Sequence, residues 1–131
     1  MIGLDTNVLV RYIMQDDVKQ SALATKWVES LSPSSPGFVS LVSVVELGWV
    51  LTSAYELDRH QLIEVLDGIL RTKEVVVENA ETVWKALRLY QTAGADFADC
   101  LIERAGAAVG CEKTMTFDRA AAKGCGMGLL A

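Results

Sequence analysis

Four acidic residues, Asp5, Glu46, Asp99 and Asp118, stand far apart in this chain of 131 residues, each inside a largely apolar stretch. Their contexts are Ile2-Gly3-Leu4-Asp5-Thr6-Asn7, Val44-Val45-Glu46-Leu47, Asp96-Phe97-Ala98-Asp99-Cys100-Leu101 and Thr116-Phe117-Asp118. A lone carboxylate in apolar surroundings is costly, so a shared purpose is expected. Each acid maps where a strand hands over to a helix, and in an open α/β sheet the carboxyl ends of the strands converge on one crevice. Carboxylates gathered there repel one another, and a hard divalent cation keeps them ionised. The first reading is a carboxylate cage for magnesium or manganese.

Each acid also has a purely local explanation. Asp5 before Thr6 and Asn7 fits a helix N-cap; in the competing reading Thr6 and Asn7 fix a carboxylate aimed into the crevice. Ser43 and Glu46 have capping-box spacing, yet the helix around Glu46 is apolar on most faces. Asp96, Asp99 and Glu103 share one helix face, which is either a solvated acidic face or part of the site. Asp118 after an apolar strand is also a common turn residue. The joint mapping to one end of the sheet is what favours the functional reading.

The elements that must position these acids follow from pattern. Residues 1–5 read as a short buried strand leading into a helix from Thr6 to about Ile13. Asp17 to Ser30 reads as a helix, and Ser32-Pro33-Ser34-Ser35-Pro36-Gly37 as a loop. A short strand over Phe38–Ser40 precedes a helix from about Ser43, buried by its apolar residues. Leu62, Leu66, Ile69 and Leu70 place a helix over Asp58–Arg71. Val75-Val76-Val77 is a strand, and Asn79 an N-cap for a helix to Thr92. The last third adds a helix over Asp96–Val109, a strand over Lys113–Phe117, a helical turn over Arg119–Lys123 and a strand over Met127–Leu130. This alternation implies a parallel sheet covered on both faces, in one domain over residues 1–131.

Composition removes several classes. Hydrophobic residues at 51% and charged residues at 22% fit a globular domain. No apolar run reaches the ~20 residues that span a membrane, and Met1–Asp5 lacks the features of a signal peptide. Cys100, Cys111 and Cys125 are odd in number and lack C-x-x-C spacing, so neither a disulfide framework nor a zinc site is expected. A reduced, cytoplasmic protein is the plain reading. His60, the sole histidine, falls on a solvated helix side, which leaves soft metals too few ligands. The net charge of −5 disfavours a polyanionic partner at first sight. Setting the four acids aside leaves acids and bases nearly balanced, so a cation at the cluster would remove most of that objection.

In combination these residues resemble the PIN-domain nucleases, and among them the VapC-type toxins of type II toxin–antitoxin pairs. The resemblance runs from Asp5-Thr6-Asn7-Val8-Leu9-Val10-Arg11 through Val45-Glu46-Leu47 and Asp96–Ile102 to Thr116-Phe117-Asp118-Arg119. It implies a three-layer α/β/α sandwich with a central parallel sheet, and a magnesium- or manganese-dependent endoribonuclease. Carried over by position, Asp5, Glu46, Asp99 and Asp118 form the acidic quartet, and Asp5 and Asp99 look like the principal metal ligands. Asp118 also falls in the metal set, and Asp96 is an auxiliary ligand through water. Thr116 matches the hydroxyl residue that supports the last acid. Glu103-Arg104 departs from the small residues of many relatives.

Implied partners are an RNA substrate, a cognate antitoxin and a second copy in a homodimer, with no membrane. Arg11, Arg104, Arg119 and Lys123 lie near the acidic motifs and are candidates for contacts to flanking phosphates. Trp27 and Trp49 are read first as core residues, and otherwise as a docking groove for an amphipathic helix. Two rival readings are a catalytically silent PIN-like binding module and a phosphoryl-transfer domain. The second would show paired acids after the first strand and a lysine after a late strand, whereas here Asp5 is followed by Thr6 and Asn7 and the late strand ends in Asp118.

Overall fold

The computed structural model describes residues 1–130, in two compact units, Met1–Glu78 and a second that begins at Asn79. The first unit runs β1 (Ile2–Gly3), α1 (Thr6–Met14), α2 (Val18–Glu29), β2 (Gly37–Val39), α3 (Leu41–Ser53), α4 (Arg59–Leu70) and β3 (Val75–Val77). Its sheet has the order β1-β2-β3, all parallel, with Ile2 opposite Gly37 and Phe38 opposite Val76. Parallel neighbours need long crossovers, and the helices α1 to α4 are those crossovers. Gly37 is the tight point: a Cβ there would lie 3.0 Å from side-chain carbons of both Leu4 and Leu31.

Caps explain where these helices begin. Asp17 accepts from the Gln20 amide and Asp58 from the Gln61 amide, the latter in a full capping box. For α3 the cap is Ser40, whose hydroxyl oxygen accepts from the Ser43 amide at 3.1 Å. The expected start at Ser43 is therefore too late, and the Ser43–Glu46 capping box does not form: Ser43 lies inside the helix. Both serines precede apolar residues, and only the backbone path out of β2 distinguishes them.

The expected burial of α3 also needs correction. Val44, Leu47, Gly48 and Leu51 form its buried stripe, whereas Val42, Val45, Glu46 and Trp49 face outward. Trp49 is 70% exposed, and Trp27 on α2 is exposed as well, so neither is a core residue. An all-apolar helix gives periodicity no preferred side; packing chooses one.

The second unit runs α5 (Ala80–Thr92), α6 (Phe97–Ala108), β4 (Met115–Thr116), α7 (Arg119–Cys125) and β5 (Gly128–Leu129). β4 and β5 pair in parallel, Met115 opposite Gly128. Helix α5 packs on α6, and Val83, Leu87, Phe97 and Leu101 on these two helices are buried. The rings of Tyr90 and Phe97 meet edge to face, 5.8 Å between centroids. Helix α7 approaches the chain just before α6: a Cβ on Gly124 would come within 3.0 Å of the Gly94 and Ala95 amide nitrogens. Asn79 holds the N-cap position of α5 in the left-handed region, φ 51°, and its side chain makes no capping bond.

Among the described residues every strand pairing in both units is parallel, apart from an isolated bridge between Ser32 and Ser35. This is the α/β class that the alternation of elements predicts. No helix among the described residues is long and apolar enough to cross a membrane.

Candidate functional site

The most concentrated acidity lies in the second unit, where α6 and α7 begin. Asp96 is the N-cap of α6 and accepts from the Asp99 amide at 2.8 Å. Asp99, half-buried in the first turn of α6, thus stands beside Asp96. Burial pushes the Asp99 carboxyl above the ordinary carboxylate range, and the charge of Asp96, a hydrogen bond with it and the charge of Asp118 push it further. Asp118 caps α7, its Oδ1 accepting from the amides of Ala120 at 2.8 Å and Ala121 at 3.2 Å. The Thr116 hydroxyl accepts from the Asp118 amide at 3.0 Å, which steadies the turn carrying that acid. Asp96, Asp99 and Asp118 therefore share one electrostatic neighbourhood that favours positive charge.

The other two acids belong to the first unit. Asp5 is the N-cap of α1, just past the carboxyl end of β1; its Oδ1 accepts from the Thr6 amide at 2.9 Å. Support from Thr6 comes through its backbone. The Thr6 hydroxyl is buried and has no hydrogen-bond partner among the described residues. Asn7 lines an apolar groove of about 520 Å³ along α1 and α2, with Leu4, Val8, Leu23 and Trp27. Glu46 lies in the exposed stripe of α3, beside Val42, Val45 and Trp49 on a shallow apolar surface.

Two of the expected placements differ in the structure. Glu46 sits in the sixth position of α3, and Asp99 follows a loop from another helix, α5. Only Asp5 and Asp118 stand where a strand hands over to a helix. Moreover Asp5, Glu46 and Asp118 are exposed, and of the four acids only Asp99 is partly buried.

The basic candidates differ in availability. Arg11 is engaged by Asp16 at 3.1 Å, Gln20 at 2.8 Å and the Tyr55 hydroxyl at 3.1 Å. The hydrogen bond from Tyr55 holds the Asp16 carboxyl below its usual range, with Arg11 adding to this, and the bond to Asp16 pushes the Tyr55 hydroxyl up. Nothing in the spacing of Arg11 and Tyr55, 44 residues apart, announces that network. Arg104 grips the adjacent Glu103 through two hydrogen bonds, so the two charges largely cancel for a passing phosphate. Arg119 and Lys123 on α7 are exposed, on the helix that Asp118 caps.

Could these carboxylates hold a cation? Their oxygen donors suit magnesium or manganese rather than a softer metal. Asp96 and Asp99 are adjacent, and Asp118 adds its field. No group of three or more such side chains among the described residues is already arranged around one point. Asp96, Asp99 and Asp118 supply oxygen donors of the kind magnesium takes alongside its own water, and no closed carboxylate cage is formed among the described residues.

Comparison with known proteins points the same way. A VapC ribonuclease of Aquifex aeolicus (strain VF5) is 26% identical over 116 residues, covering 88% of this chain and 86% of that protein. No solved structure matches. The PIN domain family model matches residues 2–126, a stretch that includes every acid discussed above. The α/β/α class expected from the sequence is thus the one that holds, and the chain belongs to the PIN domain family.

Proposed function

We propose that this protein is a divalent-cation-dependent endoribonuclease, the toxin of a VapBC-type toxin–antitoxin pair, acting in the cytoplasm. The observation that carries the reading is the match to the PIN domain over residues 2–126, in a chain whose α6 begins with Asp96 and Asp99 side by side and whose α7 is capped by Asp118. Similarity to a VapC ribonuclease supports RNA as the substrate.

In this reading, as the family resemblance assigns, Asp5 and Asp99 are the principal ligands for magnesium or manganese, Asp118 belongs to the same metal set, Asp96 assists through water, and Glu46 completes the acidic quartet. Such an ion, when bound, lowers the pKa of a coordinated water and offsets charge building on the phosphate. The protein's own part is placement. The caps of α6 and α7 fix Asp96 and Asp118, and the Thr116 hydroxyl fixes the turn before Asp118. Ionised carboxylates orient the attacking water in line with the scissile bond, and Arg119 and Lys123 contact flanking phosphates. Attack by water rather than by the ribose 2′-hydroxyl leaves 3′-hydroxyl and 5′-phosphate ends.

Incubating the pure protein with structured RNA should give cleavage with manganese and none with chelator. In parallel, manganese or magnesium should raise the melting temperature by binding the folded state, beyond what sodium achieves at matched ionic strength. Stabilisation without cleavage of any RNA would favour the silent binding module; equal effects of all salts would remove the metal site.

The reading includes a homodimer and a cognate antitoxin with an arginine-bearing tail. A guanidinium fork pairs well with clustered carboxylates, and exposed Trp27 and Leu23 beside the α1–α2 groove offer an apolar anchor for an amphipathic helix. Co-purified with the product of its neighbouring gene, the protein should be inactive and should regain cleavage when that partner is removed. Undiminished cleavage by the intact complex would sink the inhibition. Replacing the tail arginine with alanine should restore part of the activity.

A further inference from the structure

Two thiols in the second unit lie where they can report on the acids. The Sγ atoms of Cys100 and Cys125 are 3.5 Å apart, both buried, although 25 residues separate them in sequence. Cys100 follows Asp99 directly in α6. Cys125 ends α7, the helix capped by Asp118. The pair therefore bridges the two helices that present the acidic cluster. Helix α7 has little freedom to adjust, because Gly124 already abuts the Gly94–Ala95 backbone.

We propose that Cys100 and Cys125 form a reversible disulfide under a hydroperoxide, and that this bond displaces Asp99 relative to Asp118, weakening cation binding and RNA cleavage. Cys125, 6% exposed where Cys100 is wholly buried, meets the oxidant first. Its sulfur attacks one peroxide oxygen, the O–O bond breaks, and a sulfenic acid and water result. The Cys100 sulfur then attacks the Cys125 sulfur; the S–O bond breaks and the hydroxyl leaves as a second water with the remaining thiol proton. Two thiols are oxidised by two electrons and one hydrogen peroxide is reduced to two waters. The sulfurs must close from 3.5 Å to about 2.05 Å, and that movement falls on the residue next to Asp99. Misplacing a reacting group by about 1 Å can cost ~10²-fold in rate. Burial slows the first step, so the response is to sustained oxidant.

For its activity readout the inference rests on the nuclease reading and for its manganese readout on the cation site of that reading, but the disulfide-linked peptide rests on neither. The test uses the full chain carrying Cys111→Ser, which removes the exposed thiol. After hydrogen peroxide, peptide mass spectrometry should show Cys100 joined to Cys125, the manganese-induced rise in melting temperature should vanish, and cleavage should fall at least ~10-fold. Dithiothreitol should reverse all three. Cys125→Ala, or Cys100→Ala if the first does not fold, should be insensitive to peroxide. Absence of the linked peptide, or irreversible oxidation of Cys125 alone, overturns the proposal. So does a linked protein whose manganese shift and cleavage are unchanged, or a reduced protein with no manganese shift to lose. A linked protein that loses the manganese shift, with no RNA cut in either state, upholds the switch and overturns the nuclease reading instead.

Discussion

Asp99→Asn should lower RNA cleavage by about 10²–10³-fold, the scale of losing one main electrostatic stabiliser of a transition state, while the fold persists. The change is nearly isosteric, and the Asp99 backbone amide that Asp96 accepts from remains in place. The same variant should be more stable than wild type in the absence of divalent cations. Burial and the neighbouring acids Asp96 and Asp118 raise the folded carboxyl, so between the unfolded and folded pKa values the folded state binds more protons. Stability therefore falls as pH rises through that window, and the penalty is fully present above it. The asparagine carries no charge and escapes the penalty. Single-turnover cleavage and thermal melts with chelator, at acidic and neutral pH, check both halves. Wild-type cleavage with unchanged manganese affinity would remove Asp99 from the site. An unchanged rate together with higher apo stability would leave Asp99 as a strained N-terminal acid and nothing more.

Leu47→Ala should cost about 2–5 kcal/mol of folding stability, the range for deleting a fully buried leucine side chain, because Leu47 is 0% exposed on the inner stripe of α3. Trp49→Ala, two positions along the same helix, should stay within about 0.5 kcal/mol, as surface substitutions do, since Trp49 is 70% exposed. Urea melts with a common slope decide it. A tryptophan loss as large as the leucine loss would mean that α3 buries its other stripe, or that a second protein copy covers it. Repeating the melt over a range of protein concentrations distinguishes these, because only the latter depends on concentration.

Much of the molecule was legible because it is governed by local rules. The order of strands and helices follows from hydrophobic periodicity and β-branched runs, and nearly every expected element is present within a few residues. Asp17, Asp58 and Asp96 cap helices as their side chains and positions dictate, since an N-cap hydrogen bond spans only three residues. Asp118 and Thr116 are likewise settled within one turn. The motif string that points to the PIN domain is itself linear, so the family could be read before any contact was known.

Tertiary structure decided what local rules leave degenerate. Helix α3 is apolar nearly all round, so only packing could turn Leu47 inward and set Glu46 and Trp49 on the outside. Ser40 and Ser43 compete for the same cap, and the exit from β2 selects Ser40. Arg11 meets Tyr55, and Cys100 meets Cys125, across 44 and 25 residues respectively. Such meetings depend on how helices pack, which no period encodes. The raised carboxyl of Asp99 has the same origin: sequence supplies the charges, but only folding fixes their burial and separation, and those two quantities set the pKa.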